Sequence, residues 1–558
     1  MGTTDISPDP MPNEPQSNNH SEHAVLNLSR RPDTNPPPRY PPTVPISTAL
    51  LLSDDAAVPD LLHRIQVTGQ DYTANHLHHA NSDRNQKNSV RLALLSHARA
   101  LVRALETPRE TMSKHCWAEP SAATCLAVGV DTGLFHYLSC DDAGCPCMKG
   151  WGGGGGGEEG EQGAGKGMGE TYSSSPSSVS HPSQTSNDPD LQNPSQDHIP
   201  AATAAAAAAT ANGTTPPSQW KTPKPKSLPF LSARTGIPPS LLSRLLRHLT
   251  SMSHIRQPSP TTFQPTPFSS ALTHPTIGDG YPVILASLPA LTCFPQYARL
   301  TDYREPDDPG KGPYQFGVRT DRGFFEDVGV KRPLGEEFGN LMGGYRRGRR
   351  SWWEEGVYPV RERLVRGAGL EEGEGDEGKV LLVDVGRGFG HDVREFAAGF
   401  GDVVGMERGK GRMVLEDLPE VVRCRGGEEV RIERVGCDFF KENPVQGARA
   451  YYLHSVLHDW PKPLASAILT RIAQAMEPGY SKLLIHENCI PALGAHWEAT
   501  ALDMMMLGLV ASKERTEHEW RELIGATVRQ DGYRLRVVGI WGDGEEEGVE
   551  SLIECELV

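Results

Sequence analysis

A polar pair, His458 and Asp459, stands shortly after the largely apolar segment Ala448–Leu453. Glu487 ends a second apolar segment, which begins at Lys482. Such near-continuous apolar runs are typical of strands buried on both faces of a parallel sheet. Because ligand sites of open α/β sheets lie beyond the carboxyl ends of the strands, the pattern predicts that His458 and Glu487 face one crevice. A histidine there suits proton transfer, since its ordinary pKa is about 6.5.

A glycine-rich turn follows a third segment of this kind, Val380–Val385. The turn runs Gly386-Arg387-Gly388-Phe389-Gly390-His391 and leads into a predicted helix over Asp392–Phe400. Strand, glycine turn and helix make the first half of a nucleotide-binding βαβ unit, in which glycines let the backbone approach the ligand closely. The glycines alone are a weak signal, because a tight turn beneath any helix has the same spacing. A second unit is predicted from the strand before His458, a helix over 463–477 and the strand that ends at Glu487.

Five short motifs occur in order through the C-terminal part of the chain. They are Val383-Asp384-Val385-Gly386, Leu415-Glu416-Asp417-Leu418-Pro419, Cys437-Asp438-Phe439-Phe440, Leu457-His458-Asp459-Trp460 and Lys513-Glu514-Arg515-Thr516-Glu517. In these motifs the chain resembles the plant-type small-molecule O-methyltransferases, in particular the fungal branch that methylates aromatic polyketides. The resemblance extends over residues 92–558 and is interrupted by one long insertion.

The resemblance implies an α/β fold: a Rossmann-like class I methyltransferase domain preceded by a mainly helical, winged-helix-like dimerisation domain. We expect a mostly disordered region over residues 1–88 and the winged-helix-like domain over 89–330, interrupted by a low-complexity insertion at 141–224. Linker helices and an acidic hinge are expected over 331–379, and the catalytic domain over 380–558. The terminal segments Leu535–Trp541 and Ser551–Val558 are expected to form an antiparallel pair that closes the sheet edge.

The cofactor implied by the resemblance is S-adenosylmethionine (SAM). The residues that match the family's cofactor site are Gly386, Gly388, Asp417 for the ribose, and Asp438 with Phe439 for the adenine. Spacing alone also permits Glu407 as the ribose-binding acid, because it ends the apolar run Val403–Met406. Arg387 departs from the family, which has a second glycine there, and a long cationic side chain beside a sulfonium is unfavourable unless it points away.

His458 matches the family's general base, which takes a proton from the hydroxyl that is to be methylated. Glu487 and Glu514 match the two acids that orient the imidazole, and a carboxylate partner stabilises the imidazolium that forms. The competing structural interpretation is that His458 and Asp459 cap the following helix. No metal is expected, because nothing in the sequence resembles the metal-dependent catechol class, and the lack of a clustered set of carboxylates agrees. His454 is a second departure, since the family has a long basic residue there, near the cofactor.

The composition of the chain limits which partners and which location we expect. The formal net charge of −16 argues against nucleic acid or an anionic membrane as the main partner. Ten scattered cysteines and a polar, proline-rich start favour a cytoplasmic location with reduced thiols. No continuous apolar run reaches the ~18 residues that span a bilayer. The resemblance implies a small phenolic or polyketide substrate and a homodimer.

Two alternatives remain open at the level of sequence. The predicted helix-turn-helix at 231–255 is also typical of winged-helix DNA-binding proteins, and Arg244, Arg247 and His248 could contact phosphate. The departure at Arg387 is also compatible with a catalytically impaired homologue that serves as a binding or regulatory subunit. Small metal sites at His76, His78 and His79, or at Cys140, Cys145 and Cys147, lack further evident ligands.

Overall fold

The computed structural model describes residues 42–78, 84–141, 220–369, 379–386, 388, 390–404, 411–423, 432–441, 443–542 and 550–558. Most of the low-complexity insertion lies outside this part of the chain, as do Arg387, Glu407, Cys145 and Cys147 and the side chains of the N-terminal histidine cluster.

A helical hairpin opens the described chain. Helix α1 covers Val58–His78 and helix α2 covers Arg84–Leu105, and the two pack on each other. The predicted disordered region therefore extended too far, because α1 and the first turn of α2 lie within it. Each helix is weakly apolar by itself, and the sequence alone therefore gave little indication that the two would pack on each other. The short helix α3 follows at Pro108–Ser113, and Thr107 and Glu110 form its capping box.

A winged-helix arrangement follows. Its elements are α4 (Glu119–Asp131), α5 (Leu134–Ser139), β1 (Lys226–Ser227), α6 (Leu228–Thr235), α7 (Pro239–Ser251), β2 (Ile255–Ser259) and β3 (Thr262–Pro265). The three strands form an antiparallel sheet in the order β1-β3-β2. The leucine spacing predicts that Leu241, Leu242, Leu245, Leu246 and Leu249 face inward; helix α7 buries Leu242, Leu246 and Leu249, whereas Leu245 is half-buried and Leu241 is exposed. His248 bonds the carbonyl of Ala118 within the same chain rather than facing outward.

A series of short helices connects this region to the C-terminal sheet. They are α8 (Pro267–Ala271), α9 (Pro275–Gly278), α10 (Gly280–Ser287), α11 (Pro289–Thr292), α12 (Phe294–Leu300), α13 (Pro313–Val318), α14 (Phe324–Val330) and α15 (Leu334–Gly344). Pro275–Leu300 is long and apolar enough to cross a membrane by length and composition, with a mean hydropathy of 1.3. Our sequence criterion missed it because polar residues interrupt the run. Since α9–α12 pack on α4, α13, α15 and the later helix over Trp497–Val510, this is weak evidence for a membrane span.

The C-terminal part is a seven-stranded sheet with helices on both faces. Its strands are β4 (Val380–Val385), β5 (Arg412–Asp417), β6 (Ile432–Gly436), β7 (Ala450–His454), β8 (Lys482–Glu487), β11 (Leu535–Trp541) and β12 (Ser551–Leu557). Two short strands, β9 (Cys489–Ile490) and β10 (Arg515–Thr516), pair separately. The helices are α16 (His391–Val404), α17 (Pro419–Arg423), α18 (Lys462–Ala475), α19 (Trp497–Val510) and α20 (Glu517–Gly525).

The strand order is β11-β12-β8-β7-β4-β5-β6. Strands β4 to β8 are parallel, and β12 and β11 run antiparallel at one edge, which confirms the predicted closing pair. The chain order reverses between β4 and β7, so the carboxyl ends of these two strands border the crevice in which such sheets bind ligands. This topology places the glycine turn after β4 and the His458 turn after β7 side by side.

One buried arginine fastens the linker to the sheet. Arg449, just before β7, donates to the carbonyls of Leu364 (2.9 Å), Arg363 (2.9 Å) and Arg366 (3.1 Å). It also donates to the carbonyl of Tyr480. The guanidinium thereby supplies a donor to four backbone carbonyls that pack beneath the sheet.

We predict that Arg449→Lys lowers the free energy of unfolding by about 3 kcal/mol, because a single ammonium cannot replace a fork with four acceptors and buried carbonyls are left unpaired. Urea unfolding followed by circular dichroism measures the change. The matched control is Arg521→Lys in an exposed helical ion pair with Glu517, which should stay within about 0.5 kcal/mol of the parent. Equal stability of the two variants would contradict the role assigned to Arg449.

Candidate active site

The backbone turn after β7 brings His458 to the carboxyl edge of the sheet. Ser455 adopts a left-handed conformation with φ 49°, and Leu457–Asp459 then form a single 3₁₀ turn. Glu487, at the end of β8, accepts hydrogen bonds through Oε1 from the N–H groups of Val456 (2.8 Å) and Leu457 (2.7 Å). The turn is therefore held by a carboxylate from the neighbouring strand. His458 is 6% exposed.

Two glutamates surround the His458 ring. Its Nδ1 lies 2.6 Å from Oε1 of Glu514 and 3.6 Å from Oε2 of Glu487. Because a carboxylate only accepts hydrogen bonds, Nδ1 carries a proton and donates a hydrogen bond to Glu514. Nε2 is then the ring atom that can exchange a proton. Asp459 Oδ1 lies 3.6 Å from Nε2. The structure thus brings all three predicted catalytic residues together.

The charges around His458 determine its protonation. Burial by itself favours the neutral ring, but the carboxylates of Glu487, Asp459 and Glu514 outweigh burial and raise the pKa of His458 to about 10. Without ligands the ring is therefore an imidazolium at neutral pH. It is an ion within a buried polar group, which disagrees with the interpretation of His458 as a simple helix cap.

Two further residues hold this group, and sequence reasoning gave neither of them a role. Arg515 donates to the carbonyls of Leu457 (2.8 Å) and Trp460 (2.7 Å), so it clamps both ends of the His458 turn. Asp503 on α19 accepts from the N–H of Glu514 at 2.9 Å. Arg515 lies within the Lys513–Glu517 motif, which could have drawn attention to it. No sequence pattern indicated a role for Asp503, since its partner Glu514 lies eleven residues away on another element.

The glycine turn lies beside the His458 turn. Gly386, Gly388 and Gly390 all have positive φ values of 75°, 57° and 69°. A Cβ on Gly386 would come within 3.2 Å of the Phe439 ring and 3.3 Å of Val456, so a side chain there would be crowded as well as strained by the positive φ. Phe439, after β6, also packs edge-on against Trp460 at 5.9 Å. The predicted cofactor residues and the His458 turn therefore share contacts.

Asp417 meets the glycine turn directly. Its Oδ2 accepts from the N–H of Gly388 at 2.6 Å, and its Oδ1 accepts from Leu418 at 2.7 Å. Asp438 is half-buried and accepts from the N–H of Phe440 at 3.1 Å. Carboxylates after β5 and β6, an aromatic ring and a glycine cradle suit a ligand with ribose hydroxyls, a purine and an amino acid. The residues present thus fit SAM.

Histidine and glutamate side chains gather in two groups near the candidate site. Among the described residues, His458, Glu487 and Glu514 present possible metal ligands within 4.8 Å of one another, and so do His454, His486 and Glu550. The first group was predicted from the sequence motifs, whereas the second was not, because it combines the ends of elements far apart along the chain. That the site works without a metal stays a prediction.

A family model and individual proteins both match this chain. A family model described as an O-methyltransferase domain matches residues 374–533. The chain is 35% identical over 329 residues to the O-methyltransferase mfmE of Annulohypoxylon moriforme, and the match covers 59% of this chain and 76% of that protein. It is 30% identical over 482 residues to the O-methyltransferase mpaG of Penicillium roqueforti, and that match covers 85% of this chain and 94% of that protein.

Solved structures share the fold. LepI, solved as a complex with SAM, has a TM-score of 0.61 and 21% identity, and the match covers 90% of this chain and 99% of that one. OxaC in complex with sinefungin and meleagrin has a TM-score of 0.61 and 19% identity, covering 90% and 100%. A chain described as a pericyclic reaction enzyme has a TM-score of 0.62 and 21% identity, covering 90% and 99%. The predicted fold class is confirmed.

The raised pKa of His458 predicts how stability depends on pH. The folded protein holds this proton more tightly than the unfolded chain, so the contribution is fully present below about pH 6.5 and is lost as pH rises toward 10. We expect the free energy of unfolding to fall by up to about 1.4 kcal/mol per pH unit in that window from this group alone. Urea unfolding of the parent and of His458→Gln from pH 6 to 10 tests it; identical slopes would show that His458 does not carry the proton.

Proposed function

Because this chain belongs to the SAM-dependent O-methyltransferase family, we propose that it methylates a hydroxyl of a small phenolic or polyketide secondary metabolite, with His458 as the general base. The observation that carries the proposal is the buried His458 ring between Glu487 and Glu514, beside the glycine turn. The fold alone does not decide the chemistry, since one protein of similar structure is described as a pericyclic reaction enzyme.

The cofactor supplies a methyl group on a sulfonium, which an oxygen nucleophile displaces. Gly386 and Gly388 would let the backbone approach it, and Asp417 would hold the ribose hydroxyls. Asp438 and Phe439 would hold the adenine. Asp417 already accepts two backbone N–H groups, so a ribose hydroxyl would share or replace the bond from Gly388. That bond makes Asp417 a better candidate than Glu407, which lies outside the described residues.

The proton of the acceptor hydroxyl would pass to Nε2 of His458. A phenol has an ordinary pKa of about 10, so a ring whose pKa is about 10 takes its proton without a large energetic penalty. The ring must first be deprotonated, and it would lose that proton more readily beside a second positive charge. Glu514, bonded to Nδ1, would keep the ring oriented and stabilise the imidazolium after the transfer.

The His458 turn is supported by an apolar core. Helix α19 contacts the Leu457–Asp459 turn, and its Met506 and Leu509 belong to a buried cluster with Tyr314 and Phe324. The rings of Tyr314 and Phe324 meet edge to face at 5.4 Å. The proposal of an aromatic acceptor rests on the family rather than on these side chains, which are buried in the core.

A homodimer and a cytoplasmic location complete the proposal. The N-terminal helices α1 and α2 leave large apolar side chains exposed, among them Leu62, Val67, Val102 and Leu105. A second subunit would cover such surface, which monomers rarely leave open as a contiguous patch. The ten cysteines scattered through a long chain support the location, because this usage is typical of proteins with reduced thiols.

Cofactor binding is the first test. We expect S-adenosylhomocysteine to bind the purified protein with micromolar affinity in calorimetric titration, and Asp417→Ala to weaken binding at least tenfold, because it removes the ribose acceptor and frees the glycine turn. Asp531→Ala, an exposed aspartate far along the chain, is the matched control and should bind like the parent. A well-folded parent that does not bind would favour the catalytically impaired alternative.

The base is tested with an acceptor found by screening phenolic polyketides against SAM labelled in its methyl group. His458→Gln should lower kcat about 10²–10⁴-fold, with unchanged affinity for S-adenosylhomocysteine, because only proton transfer is lost. The kcat/KM of the parent should rise from pH 7 toward 9, as the base becomes deprotonated. His518→Gln, an exposed histidine, serves as control. A variant that keeps kcat within tenfold of the parent would exclude His458 as the base.

A further inference from the structure

A second buried group of histidines and carboxylates lies just before the His458 turn and takes no part in the proposed reaction. It is formed by His454 at the end of β7, His486 in β8 and Glu550 just before β12. Their possible ligand atoms lie within 4.8 Å of one another. The three side chains are at most 6% exposed.

Both histidines present the same ring nitrogen to one carboxylate. His454 Nε2 lies 3.2 Å from Oε1 of Glu550, and His486 Nε2 lies 3.9 Å from Oε2. Two ligands of a tetrahedral zinc ion with bonds of about 2.0–2.2 Å are separated by roughly 3.3 Å. The two rings stack with centroids 4.4 Å apart and planes at 26°, so both must tilt for their Nε2 lone pairs to converge on one ion with Glu550.

The other nitrogen of each ring is already held from behind. His454 Nδ1 bonds the carboxylate of Asp392 at the start of α16. His486 Nδ1 lies 2.8 Å from the hydroxyl of Tyr452. Metal-binding histidines nearly always have such a partner on the second nitrogen, because it fixes the tautomer and turns the free nitrogen toward the metal.

Arg346 and Tyr345, from the linker, compete for the same carboxylate. Arg346 Nε lies 2.7 Å from Oε2 of Glu550, and the Tyr345 hydroxyl donates to Oε1 at 2.5 Å. A bound cation would share Glu550 with them, as carboxylates with two oxygens can. Without a cation the same atoms form a network of ion pairs and hydrogen bonds in which Glu550 is the common acceptor.

We propose that His454, His486 and Glu550 form a site for a divalent cation of the zinc type, with Asp392 and Tyr452 as supporting partners. Two imidazoles and one carboxylate are a ligand set that zinc uses, with a further position left for water. The site ties β7, β8 and the segment before β12 to the linker through Tyr345 and Arg346. Its residues are distinct from His458, Glu487 and Glu514, so zinc binding can be measured separately from methyl transfer.

The test is zinc binding to the full-length, untagged protein after treatment with a chelator. We expect one zinc ion per chain with micromolar or tighter affinity in competition with a chromophoric chelator, and a visible d–d absorption band when cobalt(II) replaces zinc. Glu550→Gln and His486→Asn should weaken binding at least 100-fold. Asp392→Asn should weaken it about 10–100-fold, since it removes only the supporting partner.

Two controls assign the site. His518→Asn makes the same change at an exposed histidine and should leave the affinity unchanged. His458→Asn would abolish binding only if zinc sits in the catalytic group, so retained binding is expected. Circular dichroism confirms that each variant is folded, and if His486→Asn is not, Glu550→Gln and Asp392→Asn decide. No zinc bound by the folded parent, or stoichiometric zinc that survives Glu550→Gln, would overturn the proposal and leave the ion-pair network.

Discussion

The candidate site depends on the hydrogen bonds that the carboxylate of Glu487 accepts. One of its oxygens accepts two successive backbone N–H groups, from Val456 and Leu457, at the point where the chain leaves β7. These N–H groups are buried, and leaving them unpaired would cost about 1–3 kcal/mol each. The bonds allow the chain to turn through the left-handed Ser455, and that turn points His458 into the crevice. The same carboxylate then contributes to the charge around the ring it has placed.

The cofactor side and the catalytic side of the crevice are built on one shared contact. Gly386 packs between the Phe439 ring and Val456, so the glycine turn, the segment after β6 and the His458 turn meet at a position where a side chain would be crowded. Binding at the glycine turn and the position of the base are therefore mechanically linked. This linkage suits a reaction in which a methyl donor and a proton acceptor must both contact the same hydroxyl, because small displacements of reacting groups lower the reaction rate strongly.

Charge buried at the carboxyl edge of the sheet costs stability unless it is well paired. Here it is paired twice, in the group around His458 and in the group around His454. Arg515 and Asp503 complete the first by bonding its backbone, and Arg346 and Asp392 complete the second. Such concentrations of ionisable groups are typical of functional sites, where protonation is set by neighbours rather than by water.

The sequence by itself determined the central elements and the edge of the sheet at which the candidate site lies. Continuous apolar runs indicate β4, β7 and β8 because strands buried on both faces typically have that pattern, and glycines indicate the turn because it needs positive φ. The helices after β4 and β7 were predicted to within a few residues. The motifs added the family, and with it His458, Glu487, Glu514 and the cofactor residues.

Only the tertiary structure decided which side chains meet. Arg515 clamps carbonyls more than fifty residues away, and Glu550 reaches His454 from across β8 and β12, so neither contact leaves a periodic trace in the chain. The N-terminal hairpin of α1 and α2 was likewise revealed only by the tertiary structure, in which two weakly apolar helices pack on each other. The protonation of His458 was also decided by the tertiary structure. The residue type sets the ordinary pKa of the ring, whereas the three carboxylates that raise this pKa converge on the ring only in the folded chain.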